Sequence, residues 1–271
     1  MATVSPYVIP NTTILTLLIG LASQTQAQQL SLDLQIGGQY AYAEGGHFGV
    51  GKRPFKGHAF LLNPFLAPMV RLQLQNDTGI SFGYSGGALG WGYTLQIPKA
   101  QSNGAYGGAY AGRAVGVYLD RLPLLVSRPV ARFDFQPLPT AAEQYVYSIR
   151  IDAFAGGGMN YVRGFCQTCN LSAGFVSPQD TIVFRQQPSI IRHWGAFLTA
   201  GATARFYRLG RERFNISLFL NQGLTTMMRV PVQYTYNSQR GAVTLSVRGS
   251  GIGVLAAVPI RLKKWKNAAR T

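Results

Sequence analysis

The residues best suited to chemistry are few. Cys166-Gln167-Thr168-Cys169 is the sole cysteine pair of the chain. Within a βαβ pattern this spacing would suggest a thioredoxin-type redox site, but no such pattern surrounds it. It reads instead as a local disulfide that pins a loop. Metal binding is the alternative, although two thiolates alone do not complete a zinc site. The three histidines, His47, His58 and His193, fall in or beside long links predicted on the same rim. Ser189 precedes His193 by four residues, and Asp180 lies in the same link. A lipid-modifying enzyme needs a nucleophile or base with its orienting partner. Nothing in these spacings specifies one, and isolated surface histidines are the plainer reading. No catalytic, metal or cofactor-binding residue is therefore assigned.

A second group carries charge at alternating positions of apolar segments. Asp33, Asp120 and Asp152 are its acids, and Arg71, Arg150, Arg205 and Arg248 its bases. Charges placed this way face the interior if the segments are strands of a barrel. An eight-stranded barrel has an interior just wide enough for side chains to fill, and unpaired buried charge is costly. Two readings share these residues. One is an ion-pair plug that holds the barrel together; the other is a gated polar path for a small solute or a proton.

The elements that must position these residues are strands. Leu30, Leu32, Leu34, Ile36, Tyr40 and Tyr42 alternate with Ser31, Asp33, Gln35 and Gln39, the period of a two-faced strand. Val70, Leu72 and Leu74 alternate with Arg71 and Gln73 before the turn sequence Asn76-Asp77-Thr78-Gly79. Ile80, Phe82 and Tyr84 continue beyond it. The parity then flips across Gly86-Gly87 to Trp91, Tyr93, Leu95 and Ile97, which reads as a bulge or bend or else as a separate hairpin. Further strands are expected over about 113–127, with a phase change near Pro123, and over about 144–156, 195–208, 213–225 and 241–262. The links 43–66, 98–112, 157–194 and 226–240 are long, whereas 76–79 and 209–212 are short. Long external loops and short periplasmic turns are the rule for outer-membrane barrels. The Pro-rich link 128–143 departs from that rhythm and reads as an ordered periplasmic loop. The expected fold is all-β, an antiparallel up-and-down transmembrane β-barrel of eight strands. A soluble β-sandwich or lipocalin-like barrel has the same two-faced strands with the faces reversed, but Tyr and Trp near strand ends favour the membrane form.

Composition points the same way. Only 13% of residues are charged, 47% are hydrophobic, and glycine occurs 32 times, against about a quarter charged in ordinary soluble domains. The apolar run Ile14–Ala22 is too short to span a bilayer. Followed by Thr25-Gln26-Ala27, it reads as a signal peptide over residues 1–27, despite the absence of Lys and Arg from its first ten residues. Residues 28–262 then form the barrel and 263–271 a basic C-terminal tail. The net charge of +16 is scattered along the strands rather than gathered in one patch. That argues against nucleic acid and for outer-membrane lipids, including the phosphates of lipopolysaccharide. Lys52, Arg53, Lys56 and Arg163 are candidate contacts for those phosphates, and Tyr106, Tyr110 and Tyr161 for a protein partner or an aromatic girdle.

Several segments resemble the PorT-like outer-membrane barrels. Tyr118-Leu119-Asp120-Arg121-Leu122-Pro123-Leu124-Leu125 is similar to that family's Y-L-x-x-P-L-L strand, with one extra residue before Pro123. Gly201-Ala202-Thr203-Ala204, Asn221-Gln222-Gly223-Leu224 and the segment 249–262 resemble its later strands. The chain departs from the barrels' usual aromatic C-terminus by ending in Lys263-Lys264-Trp265-Lys266 and a short polar tail. The resemblance implies a bacterial outer-membrane location, protein partners there or in the periplasm, and an accessory role in protein secretion; it carries no catalytic residues. The function expected is therefore that of a non-enzymatic outer-membrane barrel with a structural or interaction role. A small-solute pore and a rim-located lipid-modifying enzyme are the alternatives.

Overall fold

A computed structural model of the chain describes residues 27–41, 44–45, 62–74, 77–90, 93–94, 109–110, 117–135, 147–164, 171–176, 181–236 and 239–264. Every regular element among them is a β-strand. Eight strands form the main body: β1 (Ala27–Ala41), β2 (Leu62–Leu74), β3 (Gly79–Gly83 continuing as Ser85–Ala88), β4 (Tyr118–Phe135), β5 (Tyr147–Arg163), β6 (Trp194–Arg208), β7 (Arg211–Gly223) and β8 (Gly251–Lys264). Each pairs antiparallel with its neighbours in sequence, and β1 also pairs with β8, from Gln29 opposite Lys264 to Ala41 opposite Gly251. The sheet therefore closes into an up-and-down barrel. Closure leaves no free edge along the paired lengths.

Local chemistry explains the tight corners. β6 and β7 are joined by Leu209 and Gly210 alone, both with positive φ (52° and 68°). Positive φ at both central residues is the mirror-image hairpin turn that matches the twist of the flanking strands. The expected turn 209–212 is thus only half as long, and Arg211 and Glu212 already belong to β7. In the β2–β3 turn, Asp77 takes φ 61° and its N–H donates to the Leu74 carbonyl at 3.2 Å.

The faces follow strand parity. On β8, Ile252, Val254, Val258 and Ile260 point outward and are about half exposed, as are Leu34 and Ile36 of β1 and Leu218 and Leu220 of β7. The inward positions of the same strands include Asp33, Asn215, Ser217 and Asn221, all buried. The barrel is oily outside, and its interior combines charged and amide side chains with a small aromatic cluster of Phe65, Phe154 and Phe219.

Three expectations about the strands are corrected. No bulge interrupts β3 at Gly86-Gly87. Gly83 pairs with Met69 and Gly87 with Phe65 in a single register, and the Tyr84 N–H donates to the Pro68 carbonyl at 3.1 Å between them. Tyr93–Thr94 instead pairs with Ala109–Tyr110 as a separate two-stranded element. The segment from Arg128 to Phe135 is not a loop but the end of β4, paired with β5 as far as Phe135 opposite Tyr147, with a register shift between Pro129 and Ala131. The shift lets the strand continue past a proline that cannot donate to the ladder. Lastly, the expected strand over 241–262 is two strands. Gln239–Val247 leaves the barrel, and β8 begins only after Gly249, whose φ is 78°.

Gln239–Val247 belongs to a second sheet built from the long links. Its order is Leu171–Val176, Thr181–Gln186, Met228–Tyr236, Gln239–Val247 and Glu44–Gly45, with Ser189–Ile190 paired to Met228 and Arg229. Met227, Met228, Val230, Val232 and Leu245 are fully buried there. The link between this sheet and the barrel is held by backbone hydrogen bonds: Ile191 and Arg192 N–H donate to the Met227 carbonyl at 2.8 and 3.1 Å, and Val162 N–H of β5 donates to the His193 carbonyl at 2.8 Å. Residues 1–26, which hold most of the expected signal peptide, and 265–271 of the expected tail lie outside the described residues; Lys263 and Lys264 are part of β8.

Candidate functional site: the barrel lumen

Five of the seven residues expected to face the lumen converge near the short-turn end. Arg71 of β2 lies 3.4 Å from Asp33 of β1 and 2.6 Å from Glu212 of β7. Arg205 of β6 lies 2.9 Å from Glu212 and 4.0 Å from Asp33. These four close a ring of alternating charge. Arg205 also pairs with Asp152 of β5, and Arg150 extends the chain, its Nε 2.8 Å from Asp152 and its Nη1 3.7 Å from Asp77. That Nε is off-line for a hydrogen bond to the nearer carboxylate oxygen, and Nη2 donates to the other at 3.2 Å. Asn215 donates to Glu212 at 3.1 Å and Ser31 accepts from Arg71 at 3.2 Å. Asp33, Arg71, Asp152 and Arg205 are at most 5% exposed. Three acids, Asp33, Asp152 and Glu212, meet three bases, Arg71, Arg150 and Arg205, so the cluster is electrically balanced. Balance and dense hydrogen bonding are the conditions under which buried ion pairs are tolerated.

Glu212 was hidden in the sequence by its place beside the turn. With the turn only two residues long, Glu212 pairs opposite Tyr207, and a register shift that skips Arg213 turns it inward, out of step with Asn215 and Ser217. The Leu209-Gly210 pair signals the short hairpin, but nothing in the alternation signals the shift.

Asp120 and Arg248 do not join this cluster. Arg121, Pro123, Leu125 and Ser127 of β4 line the lumen, so Asp120 faces the other side of its strand. It accepts from the Tyr84 hydroxyl at 2.5 Å and pairs with Arg163 at 3.0 Å. Val117 and Leu119, by contrast, are 2% and 6% exposed and point inward. The inversion has a physical cause. Leu119 lies with Met227 against Gly249, where the chain passes between the two sheets, so the strand's apolar positions turn toward that junction. Arg248 lies in the connection between Gln239–Val247 and β8, where its Nε donates to Thr226 at 3.2 Å.

Above the ion-pair floor is a cavity of about 80 Å³. One wall is apolar: Phe65, Ala67 and Phe219 are packed with Phe154 and Leu255, and the Phe65 and Phe219 rings meet edge to face at 5.7 Å. Thr199, Asn215 and Ser217 supply a polar wall. Arg121 forms the roof. Its Nη1 donates to the Gln39 side chain at 2.5 Å and its Nη2 to the Gly249 carbonyl at 2.9 Å, with the Phe197 ring 5.9 Å away. Arg121 carries no assignment in the sequence, where parity gives the lumen position to its neighbour Asp120.

The rim residues are dispersed in their bonding. His193 Nδ1 lies 2.8 Å from the Val162 carbonyl, and the Ser189 hydroxyl donates to the Arg229 carbonyl at 3.4 Å. Tyr161 contacts both His193 and Trp194, with ring centroids 5.8 and 4.6 Å away and the rings tilted by 31° and 46°. Arg163 is committed to Asp120 and lies over the Tyr118 ring. Cys166, Cys169, His47, His58, Asp180, Lys52, Arg53, Lys56 and Tyr106 lie outside the described residues. No protein-family model matches the chain, and no curated protein is significantly similar to it.

Proposed function

We propose that this chain is a non-enzymatic β-barrel of the bacterial outer membrane, without an open conducting pore, which anchors its second sheet as a platform for a protein partner. The observation that carries the membrane reading is the inside-out distribution of polarity. Large apolar side chains stand half exposed around the barrel, while its interior holds the charged and amide side chains beside one aromatic cluster of Phe65, Phe154 and Phe219. A soluble barrel exposing such a belt would associate or aggregate. The belt also has the right height. On β6, Trp194 and Phe206 are twelve positions apart and bracket the aliphatic stretch. At about 3.3 Å per residue and a tilt of about 40°, they span about 30 Å of barrel axis, the thickness of a bilayer's hydrocarbon core. Tyr84, Tyr118 and Trp194 stand outward toward the second sheet, and Tyr147 and Phe214 toward the short turns, as in paired aromatic girdles. Lipids, including lipopolysaccharide, are then the immediate neighbours.

The closed lumen favours an anchoring role over a pore, because the charge ring crosses the barrel from Arg71 on β2 to Arg205 on the opposite strand β6, and Arg121 blocks the other end. The test is a urea titration of the protein refolded into phospholipid vesicles, with Val254→Arg as the probe. An arginine on the lipid face costs about 2–4 kcal/mol near the bilayer midplane, whereas on a water-facing surface it changes stability by about 0.5 kcal/mol or less. A neutral Val254→Arg sinks the membrane reading. Steady ohmic conductance of the wild-type protein in planar bilayers sinks the closed-lumen reading, and failure of any protein to co-purify in mild detergent counts against the platform.

A further inference from the structure

The buried charges of the lumen balance at the floor but not at the roof. Arg121 is 6% exposed, and its bonded partners, the Gln39 amide oxygen and the Gly249 carbonyl, are both neutral. The chain has only nine acidic residues. The six whose side chains are described are all engaged elsewhere: Asp33 and Glu212 in the charge ring, Asp152 with Arg205 and Arg150, Asp77 with Arg150, Asp120 with Arg163, and Asp134 with Arg132. Arg121 Nε is also buried without a hydrogen-bond partner. So are both polar atoms of Asn160, which is 0% exposed and stands directly opposite Arg121 in the β4–β5 ladder. Directly opposed residues share one face of a sheet. Arg121 therefore has one buried positive charge without a counter-charge among the described residues, and its cross-strand neighbour has an unused amide.

We propose that Arg121, assisted by Asn160, is the anchor of an internal site for a small monocarboxylate. Of the five guanidinium N–H groups two are used, and the remainder includes the Nε edge that, with an adjacent Nη, grips a carboxylate through two parallel bonds. The charge match selects a monoanion, since a phosphate dianion would leave one negative charge uncompensated in a low-dielectric lumen. Arg121 borders both the main cavity and a smaller one on the side of the second sheet, lined by Asn63, Ser85 and Leu89. The main cavity offers the apolar surface of Phe65, Phe154, Phe219 and Leu255 beside the guanidinium. A carboxylate head on Arg121 with a short hydrocarbon tail among those rings satisfies both.

The experiment is isothermal titration of the full-length protein, refolded into detergent micelles and equilibrated at length, with sodium butyrate, sodium chloride and sodium phosphate as separate probes. The expected result is saturable binding of one butyrate per chain, with chloride and phosphate weaker. Arg121→Lys keeps the charge but loses the fork, so affinity drops about tenfold or more; Arg121→Gln abolishes binding while heat-modifiable gel mobility shows the barrel intact. Absence of butyrate binding to the wild type overturns the proposal, as does undiminished binding by either variant. Chloride or phosphate binding as tightly as butyrate overturns the carboxylate assignment. If the Arg121 variants fail to fold, Asn160→Leu decides the matter: an unchanged affinity rejects the site and a severalfold loss supports it.

Discussion

Replacing Glu212 with glutamine keeps the shape of the side chain and removes its charge from the centre of the lumen ring. Glu212 holds Arg71 at 2.6 Å and Arg205 at 2.9 Å. Its loss leaves three guanidinium groups facing two carboxylates, inside a region where Arg71 and Arg205 are 3% and 5% exposed. Breaking a buried pair by removing one partner costs about 3–5 kcal/mol, because the surviving charge is stranded. A cost of 4 kcal/mol corresponds to a folding equilibrium shifted roughly a thousandfold. The decisive step is a second substitution, Arg71→Met, which restores two charges against two. The Glu212→Gln/Arg71→Met double variant is expected to be less destabilised than the sum of its singles, with a coupling of about 2 kcal/mol. Equilibrium urea unfolding in vesicles, read by tryptophan fluorescence, measures all four corners of the cycle. Additive effects, or a Glu212→Gln cost below about 1 kcal/mol, refute the view that the ring acts as one balanced unit.

Other outcomes follow from the same geometry. Gly158→Ala places a methyl group against the Leu122 carbonyl oxygen, a backbone atom that cannot swing aside, and is expected to cost about 1–3 kcal/mol in the same unfolding assay. Asp120→Asn removes the charge that Arg163 pairs with, but Arg163 is more than half exposed, so the loss is about 1 kcal/mol or less and vanishes in high salt. A cost above 2 kcal/mol would return Asp120 to a buried network. Alkylation of the untreated protein followed by mass spectrometry is expected to find Cys166 and Cys169 unmodified and joined; labelling of both without reductant rejects the disulfide.

The architecture was largely legible in the sequence because alternation registers directly in a strand. The outer stripe Ile252, Val254, Ala256, Val258 and Ile260 is read without any tertiary knowledge, and so is the polar face Asn215, Ser217 and Asn221. Alternation separates two faces but does not say which is inward. At mid-barrel the polar face turns in. Near the second sheet the rule reverses, with Val117 and Leu119 buried and Asp120 outside. Nothing local to 113–127 announces that reversal, because it occurs beside residues remote in sequence, the sheet built from Leu171 to Val247 together with Glu44–Gly45. Glu212 is hidden differently, by a turn two residues shorter than expected and by the register shift next to it, which skips Arg213. Gln239–Val247 and β8 were fused because both alternate and only Gly249 separates their courses.

The pairing of β1 with β8 has a kinetic consequence. Ala41 and Gly251 are neighbours across the seam although 210 positions separate them in the chain. Contacts that remote are slow to form, and until β8 is in place β1 presents an unpaired edge flanked by Leu34 and Ile36, a template for pairing with another molecule. The first strand to be made must therefore wait for the last, and the chain depends on being held apart from its own copies through that interval. Substitutions along the seam, such as at Gly37 or Gly253, should then reveal themselves in the yield of assembly before they show in the stability of the finished barrel.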